Sequence, residues 1–226
     1  MNETIQSLRK TAWSTACARY NAARRLRRRE LFSTISLAFF SALSIAIPVF
    51  QKIYVKSGSS TDNYVTFLSI SLGIAILTLT LIEWGSANGS KAEILHKNAE
   101  DLNSFQRKLE ILLAEIQASP LSNWKLVHDL QLEYESIKAK ISVNHETIDY
   151  EFFLAQHRFS KEFQKNDGTP KMNQDDADAI KISWNLSSIK FFLSLWLIVI
   201  AGLIGIISTY QEEAVEKPTP QNILPS

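Results

Sequence analysis

The sequence lacks nearly everything that would announce catalysis. Among its 226 residues there is one cysteine, Cys17, so no internal disulfide can form and nothing points to redox function. There is no G-x-x-x-x-G-K-[ST], no G-x-S-x-G and no glycine-rich phosphate loop, which leaves P-loop and serine-hydrolase chemistry without a seat. Enzyme activity is therefore unsupported, and no cofactor is expected. The four histidines, His96, His128, His145 and His157, are scattered. Only "NHETIDY" sets a metal-like pair, His145 and Asp149, one helical turn apart beside Glu146. A zinc-protease helix would need a second histidine where Asp149 stands, and no third ligand is at hand. These polar residues are read instead as hydrogen-bonding ties between helices.

Charge is also missing over three long stretches. Residues 31–51, 63–82 and 191–211 contain no Asp, Glu, Lys or Arg. Each is about 20 residues, which at about 1.5 Å per helical residue matches a hydrocarbon core of roughly 30 Å. A soluble chain of this length would have nothing left to bury three such helices, so membrane insertion is expected. Tyr54, Tyr64, Trp84, Trp184 and Tyr210 flank the runs, as aromatics do at headgroup level. A cleaved signal peptide is not expected, because the polar segment before the first run is long and the run exceeds an h-region.

What is present is a block of arginine. "RRLRRR" places Arg24, Arg25, Arg27, Arg28 and Arg29 directly ahead of the first run, and residues 1–30 hold eight Lys and Arg against two Glu. On a helix the five arginines fan over about 200°. A groove-reading helix would concentrate them on one face; a helix rising through headgroups benefits from a collar. Each arginine near an anionic leaflet contributes roughly 1 kcal/mol, so membrane lipid is the expected partner and direct nucleic-acid binding is not. The loop 52–62 has only Lys52 and Lys56 against Asp62, and the tail has Lys217 against Glu212, Glu213 and Glu216. The positive-inside rule then sets residues 1–30 and 83–190 in the cytoplasm, with the loop and the tail outside.

The fold class predicted is an all-α membrane protein. An amphipathic basic helix over 1–30, with Ile5, Leu8, Ala12, Trp13, Ala16, Tyr20, Ala23 and Leu26 at helical spacing, leads into span one at 31–51. A short loop at 52–62 joins it to span two at 63–82, giving a two-span hairpin. Residues 83–165 read as a coiled-coil-like hairpin. Leu95, Leu102, Leu109 and Ile116 recur at seven, with Phe105 and Leu112 on the companion position and Asn98 interrupting. Pro120 stops that helix, and a second begins near Ser122, with Val127, Tyr134, Ile141 and Ile148 at seven beside Leu130 and Ile137. Turn residues in "QKNDGTPKMNQDD" open a linker over 166–190. Asn173 and Asp176 start a helix that could run straight through Trp184 into a third span at 191–211, and 212–226 is expected to be disordered.

The spans hold no acidic, basic or histidine residue, which argues against proton-coupled transport and voltage sensing. They hold small and hydroxylated residues instead. Ser33, Ser36, Ser41 and Ser44 lie in the first, and Thr66, Ser69, Gly73 and Thr80 share one face of the second. Close helix packing and a weakly polar pore wall assembled from several subunits both use such faces. Under the second reading, Ser41, Ser44, Thr66, Ser69, Gly73 and Thr80 are the lining candidates. Ala201, Gly202 and Gly205 in the third span read as packing residues.

The order "ARYNAARRLRRR", a short-looped two-span hairpin, "KAEILHKNAEDLNSFQRKLE" and "NHETIDYEFF" resembles the SLATT family, the SMODS and SLOG-associating two-transmembrane effectors of bacterial conflict systems, and is most similar to its subgroup five. The resemblance covers most of residues 8–160. It implies an oligomeric inner-membrane effector that forms pores, with a neighbouring nucleotide-signalling enzyme or reverse transcriptase supplying the trigger. It also implies structural or gating roles for Arg19, Asn21, Asn144, His145, Glu146 and Asp149. The family name promises two spans, and the third run departs from it. The alternative is a membrane-anchored coiled-coil scaffold that recruits partners without conducting ions.

Overall fold

The computed structural model describes residues 1–118 and 123–215. The stop assigned to Pro120, the start near Ser122 and the tail from residue 216 onward lie outside them. The described chain is helical: α1 (Asn2–Tyr54), α2 (Ser60–Ser86), α3 (Asn88–Ala118), α4 (Trp124–Ala139), α5 (Thr147–Gln156), a 3-10 turn (Lys161–Phe163), α6 (Gln174–Ser187) and α7 (Lys190–Val215). It forms two compact units, Met1–Glu30 with Ala87–Ile189, and Leu31–Ser86 with the chain from Lys190 onward. We call them the polar unit and the apolar unit.

In the polar unit the N-terminal part of α1 buries the face its spacing predicts. Ile5, Leu8, Ala12 and Ala16 share one core with Leu102, Phe105 and Leu109 of α3 and Val127, Leu130, Tyr134 and Ile137 of α4. The predicted hairpin is thus the larger part of a three-helix packing in which α1 covers the heptad seam. Asn98 breaks the heptad because it is a bonded polar core residue: 2 % exposed, it donates from Nδ2 to the Ile137 carbonyl at 2.7 Å. The α4 heptad is shorter than its spacing suggests. α4 ends at Ala139 with Lys140 as C-cap, Ile141 lies beyond it and Ile148 belongs to α5. The cause is a separate nucleus: Glu146 caps α5, and its side chain and that of Asp149 exchange bonds with each other's backbone amides.

The helix from Asn173 does not run straight into the last apolar stretch. Asn173 caps α6 as expected, accepting from the Asp176 amide at 2.7 Å, but α6 closes at Ser188 and α7 starts at Lys190. Between α2 and α3, Ala87 takes φ +48, the one non-glycine in the left-handed region among the described residues. It falls at the boundary between the units.

In the apolar unit Phe40 and Ile47 of α1, Val65 and Leu72 of α2 and Ile206 of α7 make a common core. Trp196 of α7 lies 5.0 and 5.1 Å from the rings of Phe39 and Phe40 and donates to Ser36 Oγ at 3.0 Å. Tyr64 donates to the Gly202 carbonyl at 3.2 Å. A Cβ on Gly202 would stand 2.9 Å from Leu68 Cδ1, and one on Gly205 would collide with the Tyr64 hydroxyl. Both glycines are packing residues because a side chain has no room there. α7 continues four residues past the apolar run, so 212–215 is helical rather than tail. Glu213 accepts from the Thr61 amide at 2.8 Å, one of the donors that the first turn of α2 leaves without a helical acceptor.

Three helical stretches are long and apolar enough to cross a bilayer, in α1, in α2 and its continuation, and in α7. The outside of the apolar unit fits that solvent. Phe39, Ile45, Phe67, Ile74, Leu197 and Ile204 are each more than half exposed. In water such a continuous apolar surface would drive aggregation; in lipid it is the ordinary outer face of a span.

Candidate functional site: a buried arginine–aspartate latch

The densest polar chemistry lies in the polar unit, around Asp149. Position N3 of α5 turns its side chain back toward the cap, and the packing of α1 and α6 leaves it 0 % exposed. An ionised carboxylate there needs all its acceptor sites filled. They are. Oδ1 accepts from Arg25 Nε at 2.9 Å and from Trp184 Nε1 at 3.0 Å. Oδ2 accepts from Arg25 Nη2 at 3.0 Å and from the Glu146 amide at 3.0 Å. The guanidinium meets the carboxylate as a two-pronged fork, the geometry that makes Arg–carboxylate pairs strong and directional. Arg25 Nη2 also approaches Glu146 Oε1 at 2.8 Å. Burial works against the charge on Arg25, but the bonds to Asp149 and the two neighbouring carboxylates outweigh it and hold its pKa above the ordinary arginine value.

Aromatic and amide groups brace the pair. Trp184 stacks on Phe152 with centroids 4.1 Å apart, while the guanidiniums of Arg28 and Arg24 lie over its ring at 5.0 and 5.9 Å. Arg28 donates to Ser188 Oγ at 3.0 Å and to the Asn185 side chain at 2.9 Å. Asn21, 1 % exposed, donates to the Asp149 carbonyl at 3.0 Å and accepts from Arg24. Further back on α1, Arg19, 4 % exposed, donates to Asn98 Oδ1 and leaves its Nε without a partner. No described carboxylate pairs with it. Burial pulls its pKa below the usual arginine value, with Tyr134 countering. His145 is held below the ordinary histidine value by burial and then by Arg19, and its Nδ1 also lacks a partner. Asn144 is exposed and accepts from the His145 amide at 3.0 Å. Cys17, nearby on α1, has its thiol pushed up to about 11 by burial, which makes it a poor nucleophile.

The structure therefore divides the arginine block. Arg25 and Arg28 are held by partners inside the polar unit, Arg24 is exposed yet donates to Asn21 and lies over Trp184, Arg27 is exposed, and Arg29 is half-buried. Trp184, read as a headgroup aromatic, is 5 % exposed and belongs to the latch. It lies about two helical turns ahead of the apolar run, and Asp149 takes its N–H. Arg19, Asn21, His145, Glu146 and Asp149 all gather in this region. The hydroxylated residues of the spans do not gather within one chain. Ser41, Ser44, Thr66 and Thr80 turn their hydroxyls back to carbonyls of their own helices, and Gln51 reaches Thr66 at 2.7 Å. Ser33 and Ser36 are buried. Ser69 Oγ is buried without a partner, and Gly73 faces open space. No group of three His, Cys, Asp or Glu that could hold a metal occurs among the described residues. Arg25 and Trp184 were the residues hardest to assign, because their partner lies 124 and 35 positions away. The one sequence signal was Glu146 three residues before Asp149, a capping spacing that fixes Asp149 at N3.

The family model for the SMODS and SLOG-associating 2TM effector domain family 5 matches residues 1–211. Comparison with curated proteins and with solved structures returns no significant match.

Proposed function

The chain belongs to the SMODS and SLOG-associating 2TM effector domain family 5, and on that footing we propose that it is a bacterial inner-membrane effector whose copies assemble a pore and depolarise the cell. The observation that carries this reading is the apolar unit: three bilayer-length helices whose cores hold no Asp, Glu, Lys or Arg, apolar on the outside. One chain has too few spans to enclose water, so a conducting path needs several copies. The exposed positions Ser41, Thr66, Gly73 and Thr80 supply the weakly polar surface such copies would turn inward. Residues 1–30 and 83–190 are cytoplasmic. Arg24 and Arg27 collar the headgroups, and the trigger comes from a neighbouring nucleotide-signalling enzyme or reverse transcriptase.

The latch supplies the control. Arg25 lies on the helix that becomes the first span, and Trp184 lies in the last turn of α6, ahead of the third. Both are fastened to Asp149 of α5. A signal that binds better to an arrangement in which this contact is open shifts the population toward it. The scaffold reading is favoured by one observation, an exposed groove on α3 and α4 lined by Ile111, Leu112, Leu126 and Leu130, and liposome flux separates the two. Purified Asp149→Asn, whose latch is open, is expected to pass a small fluorescent ion when reconstituted in liposomes, and Gly73→Leu in that background to reduce that flux to near the empty-liposome level. Gly73 is the apt position because a Cβ there meets nothing within 4 Å in one chain. A loss of flux at equal reconstitution then reports a wall made by neighbours. No flux from Asp149→Asn supports the scaffold instead.

A further inference from the structure

α6 is apolar on two sides. Its inner side holds Ala177 and Trp184, both buried in the polar unit, where Trp184 stacks on Phe152 of α5. On a helix at 100° per residue, Ala179, Ile182 and Leu186 lie within about 60° of one another and nearly opposite Trp184. Ile182 is 60 % and Leu186 43 % exposed, and Ala179 is exposed as well. One apolar side suffices for packing on α5. A second, continuous over two turns, calls for another apolar neighbour.

The chain's own continuation names that neighbour. α6 closes at its C-cap Ser188, and α7, whose apolar run is long enough to cross a bilayer, begins at Lys190. Leu186 is four positions ahead of Lys190, so the two lie within about 14 Å of each other whatever the angle between the helices. Charge is graded along the same helix. Asp175, Asp176 and Asp178 crowd its first turns, with Asp175 on the outer side itself, and Lys181 is paired with Asp178 at 3.0 Å. The other end is cationic: Lys190 is exposed, and Arg28 of α1 donates to the Asn185 carbonyl at 2.7 Å. An anionic leaflet repels the first end and attracts the second.

We propose that the C-terminal half of α6 lies in the headgroup layer of the bilayer that α7 enters, with Leu186 deepest, Ile182 shallower and Ala179 in water. An amphipathic helix in that layer buries its apolar face about 5–10 Å into the headgroup and acyl boundary. This inference rests on the membrane reading of the spans and not on conduction. The same two turns face lipid with Ile182 and Leu186 and face Asp149 with Trp184, so the bilayer holds the helix that carries one side of the latch.

Nitroxide labels on the full-length chain, in nanodiscs of phosphatidylethanolamine and phosphatidylglycerol, measure the depth. Cys17→Ala removes the native thiol, and single sites are introduced by Ala179→Cys, Ile182→Cys and Leu186→Cys. Ser136→Cys, exposed on α4, is the water reference, and Leu197→Cys, 68 % exposed on α7, is the lipid reference. The quantity read is accessibility to oxygen, which concentrates in lipid, relative to a water-soluble nickel chelate. The ratio at Leu186 should be several-fold above that at Ser136 and below that at Leu197, with Ile182 between Leu186 and Ala179, and Ala179 close to Ser136. Ratios at Leu186 and Ile182 equal to that at Ser136 would overturn the proposal. Shielding of both sites from oxygen and chelate alike would do so too, since protein would then be what covers them. A water-like ratio at Leu197 would instead sink the membrane reading itself, and this proposal with it.

Discussion

Asp149→Ala is expected to cost about 3–5 kcal/mol, the cost of leaving a buried charge without its partner. The substitution removes the acceptor for both prongs of the Arg25 fork, for the Trp184 indole and for the Glu146 amide. The Arg25 side chain is only 10 % exposed, so its guanidinium has little access to water in exchange. The effect should exceed that of losing any surface ion pair, such as Lys97 with Glu93, whose charges stay solvated with or without each other. Replacing both charges, Arg25→Met with Asp149→Leu, should return part of the loss. It should not return all of it, because the Trp184 and Glu146 donors stay unsatisfied at roughly 1–3 kcal/mol each. Chemical denaturation in a fixed detergent compares the three proteins. An Asp149→Ala loss below about 1 kcal/mol would mean the latch is solvated and cannot act as a control point.

The second large effect is expected where a charge is buried without a counter-charge. Asn98→Leu removes the neutral oxygen that receives Arg19 and should cost about 3 kcal/mol or more. Arg19→Met in that background should restore much of it, since the desolvated cation goes with it. The Ile137 carbonyl, which loses its Asn98 donor in both, sets the remainder. A double-mutant cycle reads the coupling, expected at about 1–3 kcal/mol for residues in direct contact. Additive effects would show that Arg19 finds another acceptor. As a source of stability the pair gains nothing over well-packed apolar residues of the same volume. Its use lies in specifying how α1 sits on α3, because only one register brings Arg19 to Asn98.

These two networks also mark how far the sequence could be read. The spans were legible because the bilayer imposes one thickness, and a charge-free run of about 20 residues suits little else. The buried face of α1 was legible for a similar reason: Ile5, Leu8, Ala12 and Ala16 repeat at helical spacing whatever they pack on. What they pack on was not, since period alone names no partner and the same face would suit a membrane surface. The arginine block shows the limit most clearly. Arg25 and Arg27 are alike in the chain, but one lies against α5 and the other faces outward, and the two-residue offset that separates them matters only once α5 and α6 are in place. Asp149 resembled half of a metal site because a one-turn spacing from His145 is visible, while the arginine 124 residues upstream that takes its charge is not.

Permeabilisation of a membrane by the assembled protein, under the control of the latch, has a direct readout in living cells. Membrane potential is followed with a voltage-sensitive dye in bacteria induced to express wild type, Asp149→Asn, or Asp149→Asn combined with Gly73→Leu, at matched membrane abundance. Asp149→Asn is expected to depolarise without any trigger, wild type alone to respond weakly or not at all, and the combined variant not to respond. An unchanged potential with Asp149→Asn present in the membrane would contradict latch control of a pore, as would depolarisation that Gly73→Leu leaves intact.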